Sequence, residues 1–252
     1  MKGVVLAGGL GTRLLPMTRV TNKHLLPVFD RPMIYYPIQQ LTAAGIDDIL
    51  VVTGVDHAED FLKALRNGED FGLDHIRYAY QEGEGGIAEA LALAEDFAGG
   101  EPIVVMLGDN LFEDPLAPVI HAFQRNPSGA MLLLKEVDDP DRFGVAVVEG
   151  DRVVNIVEKP SDPETNLAVT GCYMYDRRVF DVIRSLTPSE RNELEITDVN
   201  NQYIAWQEIR HIKLNGWWTD AGTRASLHRA ANLVAASREN PVLNGEQVVS
   251  EL

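Results

Sequence analysis

Arg13 and Lys23 follow a run of glycines in "LAGGLGTRLLPMTRVTNKHLLPV", close to the start of the chain. A strand that breaks into a glycine turn exposes backbone N–H groups, which makes an anion site. An arginine forks across two phosphate oxygens, whereas a lysine acts as a mobile point charge. Together they suit a triphosphate whose bond between the α- and β-phosphates is to be broken. A surface turn with solvated cations is the alternative. Two other glycine turns do not fit. The dinucleotide fingerprint needs a third glycine where this chain has Leu14, and a P-loop needs Gly-Lys-Ser/Thr where Thr12-Arg13 follows Gly11.

Three more residues could do chemistry. Asp109 closes the apolar run "IVVMLGD", which puts it at the carboxyl end of a buried strand, where open α/β sheets bind ligands. Asp220 lies far away in "WWTDAG". Two carboxylates with phosphate oxygens and waters make a Mg²⁺ site, although Asp109 alone could be a turn or helix-capping residue. Gln81 precedes Gly83, Gly85 and Gly86. An amide can pair with a pyrimidine edge and glycines let a base lie against backbone, although a solvated loop reads the same way. The six histidines show no ligand spacing and are assigned no metal.

The elements that must position these groups alternate along the first half. "GVVLAG", "DILVVTG", "HIRYAYQ", "PIVVMLGDN" and "AMLLLKEV" read as strands. Helices are expected over Pro32 to Ala44, over Asp56 to Asn67 with Asp56 and Glu59 as a capping box, over Gly86 to Phe97 and over Pro115 to Gln124. Continuous apolar strands between helices imply an α/β fold, a Rossmann-like α/β/α arrangement around a mainly parallel sheet. After about Asp138 the rhythm changes. "GVAVVEGDRVVNIVEKP" reads as a hairpin turning at Glu149-Gly150-Asp151, and "LAVTGCYMYD" as a further strand. Helices over Arg177 to Leu186, Glu195 to Gln207 and Arg224 to Ser237 and a strand over Arg210 to Leu214 complete the chain. No linker separates the halves, so a single domain is expected. Its two lobes are expected at about 1–137 and about 138–252.

The 252 residues are 45% hydrophobic and 24% charged, an ordinary globular composition. The net charge of −16 disfavours nucleic acid and anionic lipid as partners, and it requires the few cations to gather wherever an anion binds. Cys172 is the single cysteine, which excludes an internal disulfide and a cysteine-rich zinc site, and it reads as a buried thiol. With no signal peptide or membrane span visible, a cytoplasmic setting is expected.

From end to end the chain resembles the sugar-phosphate nucleotidyltransferases. The resemblance rests on "LAGGLGTRLLPMT", "NKHLLPV", "RPMIYYPI", "QEGEGGIAEAL", "LGDNLF", "DPDRFGV", "EKP", "AVTGCYMYD", "ELEITDVN" and "GWWTDAGT", in the family's order. It is closest to the short form, without the extra C-terminal helical segment of longer members. The resemblance implies Mg²⁺-dependent attack of glucose 1-phosphate on the α-phosphorus of dTTP, giving dTDP-glucose and pyrophosphate, in a homo-oligomer, dimer or tetramer. UTP in place of dTTP, or a silent nucleotide-sugar sensor, are the alternatives. It implies a nucleotide side of Leu6, Gly8, Gly9, Gly11, Thr12, Arg13, Lys23, Gln81, Gly86 and Asp109, with Arg13, Lys23 and Asp109 catalytic. It implies a sugar-phosphate side of Asn110, Gly144, Glu158, Lys159, Val169 and Trp217, with Trp217 walling the hexose, and a metal pair of Asp109 and Asp220. Asp138 to Asp141 reads as a solvated turn, and "ELEITDVN" as helix capping and packing.

Overall fold

The computed structural model describes residues 1–239. Its elements run β1 (Lys2–Ala7), β2 (Pro27–Val28), β3 (Arg31–Pro32), α1 (Tyr35–Ala43), β4 (Ile49–Gly54), α2 (Ala58–Leu65), β5 (Ile76–Gln81), α3 (Ile87–Ala92), α4 (Glu95–Ala98), β6 (Ile103–Leu107), β7 (Asn110–Phe112), α5 (Ala117–Arg125), β8 (Ala130–Glu136), β9 (Gly144–Glu149), β10 (Arg152–Glu158), β11 (Leu167–Tyr175), α6 (Val179–Ser185), α7 (Ile196–Ala205), β12 (Ile209–Lys213), β13 (Trp218–Asp220) and α8 (Arg224–Glu239).

The apolar runs form a sheet ordered β10-β9-β11-β6-β1-β4-β5, with β8 paired to β11 and β12. β1, β4, β5 and β6 are parallel neighbours, and β12 runs parallel to β8. β11 is antiparallel to β6, β8 and β9, and β10 to β9. The sheet is therefore mixed but mainly parallel in direction. Side chains alternate faces along each strand. Val4 and Leu6 pack with Leu91, Phe180 and Tyr203 on one face, while Val5 and Ala7 pack with Ile38, Phe61 and Phe123 on the other. Two helical layers thus bury both faces, which is why these strands read as continuous apolar runs. Cys172 is fully buried in β11. Among the described residues, no helix is long and apolar enough to cross a membrane.

Several helix limits differ from the expectation. α1 starts at Tyr35 because Arg31 and Pro32 pair with Val28 and Pro27 in a small hairpin. Asp56 does not cap α2; it lies in a 3₁₀ turn over Val55–His57, and α2 has no side-chain cap. The expected helix from Gly86 to Phe97 breaks into α3 and α4. Glu195 precedes α7 but makes no capping bond.

Two features of the fold build a cleft. β11 overruns the carboxyl end of β6. Its Cys172–Tyr175 pair with β6, but Ala168 pairs with Val145 of β9, which carries the β9–β10 hairpin beyond the parallel strands. Between Val169 and Tyr173, a stretch that includes Gly171, β11 shifts register against β8 in a bulge. The second feature is the two-stranded pair of β13 and β7, which sets Asp220 opposite Asn110, the neighbour of Asp109.

Candidate active site

The cleft, about 360 Å³, opens at the carboxyl ends of β1, β5 and β6. That volume suits a small-molecule site. Leu6, Gly8 and Gly9 line it from β1 and the glycine turn, with Arg13 and Lys23 beside them. After the turn come 3₁₀ segments over Thr12–Leu14, Met17–Arg19 and Lys23–Leu25, where a dinucleotide fold would open a helix. Gly11 and Thr12 do not line the cleft. Gly11, at φ 62°, packs its Cα against Lys23, whose Cβ lies 3.0 Å from where a Gly11 Cβ would stand. The turn is thereby held on the stem of the lysine it accompanies.

Asp109 is 9% exposed, and its Oδ2 accepts a 2.6 Å hydrogen bond from Lys23 Nζ. Burial works to raise its pKa, but the Lys23 charge and hydrogen bonds from Lys23 and Asn110 outweigh it and hold the carboxyl well below the usual range. The adjacent His24 stays neutral, pushed down to about 3 by burial and then by the Lys23 charge. Asn110 is a hub. Its Oδ1 accepts from Gly171 N at 2.8 Å and Trp218 Nε1 at 2.7 Å, and its Nδ2 donates to Asp109 Oδ1 at 2.9 Å. A Cβ on Gly171 would stand 2.5 Å from the Asn110 amide, so the bulge needs a glycine there. Although Asn110 lines the cleft, its amide oxygen is committed to Gly171 and Trp218, and the amide nitrogen so anchored aims Asp109.

Asp220 Oδ1 and Oδ2 accept from Arg142 Nη2 at 3.0 and 3.1 Å. Burial, then the Asp109 charge, pushes its pKa up despite that partner. A Cβ on buried Gly222 would lie 3.1 Å from Asp220 Oδ2, 3.2 Å from Arg13 Nη2 and 3.5 Å from Asp109 Oδ2. Both carboxylates and the arginine therefore converge around Gly222. This donor set fits a Mg²⁺ ion, which takes one or two carboxylates and completes its octahedron with water and substrate phosphate. Among the described residues there is no cluster of three or more such protein ligands, so a bound ion would need those outside oxygens.

The other end of the cleft is built on the β9–β10 hairpin. Gly144 pairs with Glu158, and a Cβ on Gly144 would crowd Glu158 Oε2 at 3.2 Å and Thr197 Oγ1 at 3.3 Å. Glu158 Oε2 accepts from Thr197 Oγ1 at 2.7 Å, and Lys159 Nζ lies 3.2 Å from Glu158 Oε1. Lys159 holds the left-handed region at φ 44° and donates its backbone N–H to Phe143 O at 2.9 Å. Such backbone strain is sparse and concentrates at functional positions. Val169 lines this end from β11. Trp217 does not line the cleft. Its Nε1 donates to Ser237 Oγ at 3.1 Å and its ring packs against the core under α8. Trp218 lines the cleft instead, 5.0 Å from the Phe143 ring.

Two cleft arginines were missed from the sequence. Arg142 directly follows the Asp138–Asp141 stretch expected as a solvated turn, and its Nη1 also bonds Asp139 at 2.6 Å. Arg191 bonds both Glu195 oxygens at 2.8 Å, which is why Glu195 does not cap α7. The cations of this acidic chain do gather here, as charge alone requires. Lys23, Arg142, Lys159 and Arg191 are, however, each paired with a carboxylate. Among the described residues Arg13 makes no such pair.

The chain that builds this cleft has known relatives. The family described as nucleotidyl transferase matches residues 2–237. The chain belongs to the nucleotidyl transferase family. The transferase is 43% identical to the glucose-1-phosphate thymidylyltransferase of Neisseria meningitidis, over 93% of this chain and 82% of that protein. It is 41% identical to the enzyme of that name from Actinoplanes, over 95% and 80%. A Bacillus anthracis structure carrying the same name, in complex with sucrose, superposes with a TM-score of 0.89 at 49% identity, covering 92% of this chain and 94% of that one. A UDP-glucose pyrophosphorylase bound to UDP-glucose gives 0.81 at 26% identity, covering 94% and 99%.

Proposed function

We propose that the transferase joins dTTP and glucose 1-phosphate into dTDP-glucose and pyrophosphate. The observation that carries this reading is the placement of Gln81 and the glycine turn at one end of the cleft, Glu158 and Lys159 at the other, and Arg13, Lys23, Asp109 and Asp220 between them. The names of the relatives support it.

The nucleophile is an oxygen of the sugar phosphate, already anionic because a phosphate monoester has a second pKa of about 6. A bond forms from that oxygen to the α-phosphorus, and the bond to the bridging β-phosphate oxygen breaks. The electron pair leaves with pyrophosphate, so no general base is needed. The protein's work is to hold two anions in line and neutralise charge on the leaving group. Asp109 and Asp220 would hold Mg²⁺, which supplies positive charge to the triphosphate. Arg13 reaches the triphosphate directly. Lys23 and Arg142, whose present partners are those two carboxylates, are the cations able to turn toward phosphate oxygens. Lys159 and Arg191 receive the sugar phosphate, and Glu158, aimed by Thr197, accepts from sugar hydroxyls. Lobes of about 1–137 and 138–252 serve the two substrates within one homo-oligomeric, cytoplasmic enzyme.

A matrix of dTTP, UTP, ATP, CTP and GTP against glucose-, galactose-, mannose- and glucosamine-1-phosphate, read as pyrophosphate release with Mg²⁺, tests this. The highest specificity constant is expected for dTTP with glucose 1-phosphate. A higher value with UTP would favour the uridylyl reading, which the pyrophosphorylase likeness supports. No release from any pair would leave a nucleotide-sugar sensor.

A further inference from the structure

We propose that Glu89, which stands outside the cleft, fixes which edge of the Gln81 amide meets the base, so that the site accepts thymine or uracil and rejects cytosine. The proposal rests on the reading of the Gln81 end as the base subsite. Gln81 is buried at the end of β5, and its side chain lines the cleft. Its Nε2 donates to Glu89 Oε1 at 3.0 Å and to Gly86 O at 3.3 Å. An ionised carboxylate and a backbone carbonyl only accept, so neither contact can be made by the amide oxygen. The flip of the amide is therefore set by chemistry. An amide nitrogen carries two protons, and both are committed. What Gln81 has left is its oxygen, which points at the glycine turn, 2.8 Å from where a Gly8 Cβ would stand.

An acceptor in that place pairs with the N3–H of thymine or uracil. It opposes the N3 lone pair of cytosine, and a site that leaves buried polar groups facing like groups discriminates strongly. Glu89 reaches Gln81 because Gly85 leaves room: a Cβ on Gly85 would overlap Glu89 Oε2 at 1.7 Å. The carboxylate is thus a positioning group seated behind the base subsite.

Dissociation constants for dTTP, UTP and dCTP, measured by calorimetry on the wild type, Glu89→Gln and Gly85→Ala, test the assignment. Glutamine at 89 can also donate, so the shorter of the two contacts that fix the flip no longer opposes a turned Gln81 offering Nε2 to cytosine N3, and only the longer one, to Gly86 O, still does. The preference for dTTP over dCTP is expected to fall about tenfold in Glu89→Gln, the worth of about one hydrogen bond. The ratio of dTTP to UTP is expected to stay within about twofold, because both bases carry N3–H. Gly85→Ala displaces the same carboxylate and should shift the same ratio, which keeps the test sound if Glu89→Gln melts early. An unchanged dCTP ratio in both variants, or equal losses on all three nucleotides, would overturn the proposal. Wild-type protein that binds neither dTTP nor UTP would overturn the base-subsite reading as well.

Discussion

Asp176 and the pair Asp109–Asp220 are all largely buried carboxylates at strand ends, yet the chain treats them differently. Asp176 follows β11 and accepts from Gly129 N at 2.8 Å, Arg178 N at 3.0 Å, Arg178 Nε at 3.0 Å and Tyr203 OH at 2.9 Å. Two of these four donors are backbone and a third is a core tyrosine, with the Arg178 guanidinium as the fourth, so the carboxylate is built into the frame. Asp220 has one partner, the long side chain of Arg142, and shares its surroundings with a like charge. Asp109 is tied to Lys23, another long flexible cation. A structural carboxylate is satisfied by groups that cannot leave. Asp220, and Asp109 at Oδ2, are satisfied by groups that can, while Asn110 holds Asp109 Oδ1 in place, which is what a site for a cation and phosphates requires.

The largest expected effect separates the two classes outright. Asp109→Asn and Asp220→Asn should each lower turnover about 10³-fold, the scale of losing one electrostatic stabiliser at a reacting phosphate. Asp220→Asn should leave the melting temperature unchanged or raise it, because it removes a repelling buried charge. Asp176→Asn should do the opposite, costing about 3 kcal/mol and lowering the melting point by roughly 6–12 °C, with turnover well below that point nearly intact. Calorimetric melts beside pyrophosphate assays check both; a comparable turnover loss in Asp176→Asn would break the comparison.

Within the cleft the contrast is between its ends. Lys159→Ala should weaken glucose 1-phosphate binding by about 1.5–3 kcal/mol, the value of a charge-assisted hydrogen bond, and spare dTTP. Arg13→Lys should harm triphosphate alignment and spare the sugar phosphate, because a fork is not replaced by a point charge. Titration calorimetry with each ligand would show equal dTTP losses if the two-ended site were wrong.

The smallest effect concerns pH. Burial works to raise the Asp176 pKa, but Arg178, the Gly129 N–H and Tyr203 outweigh it and lower the pKa. A lowered folded pKa contributes stability that is full above the unfolded value of about 3.9 and is lost as pH falls through the folded value. The melting points of wild type and Asp176→Asn should therefore converge as pH drops below about 4. A constant gap down to the lowest pH would contradict the assignment.

The sheet was legible because its strands are apolar on both faces, and Arg13, Lys23 and Asp109 because their local motifs sit at strand ends. Helix starts were not. Pro32 reads as a first-turn proline, but the β2–β3 pairing uses its extended backbone, a contact invisible to a local pattern. Arg142 and Arg191 drew no reading from the sequence: Asp220, which Arg142 pairs with, is distant in sequence, and although Arg191 bonds nearby Glu195, the Glu158 end of the cleft that it joins is distant too. Trp217 was a different kind of miss. Side chains two apart on a strand share a face. If Asp220 faces the cleft, Trp218 faces it too and Trp217 turns away, so the periodicity needed to choose the right tryptophan was already present.

The claim that Asp109 and Asp220 serve one shared ion is tested most directly by a double-substitution cycle. Single-turnover rates of pyrophosphate release would be measured for Asp109→Asn, Asp220→Asn and the double variant across a Mg²⁺ titration. Groups that act as one unit are strongly non-additive. The double variant is expected to be no slower than the worse single variant, with chelation reducing wild type to the same floor. Losses that multiply, at a Mg²⁺ dependence unchanged from wild type, would show two independent carboxylates and contradict the account.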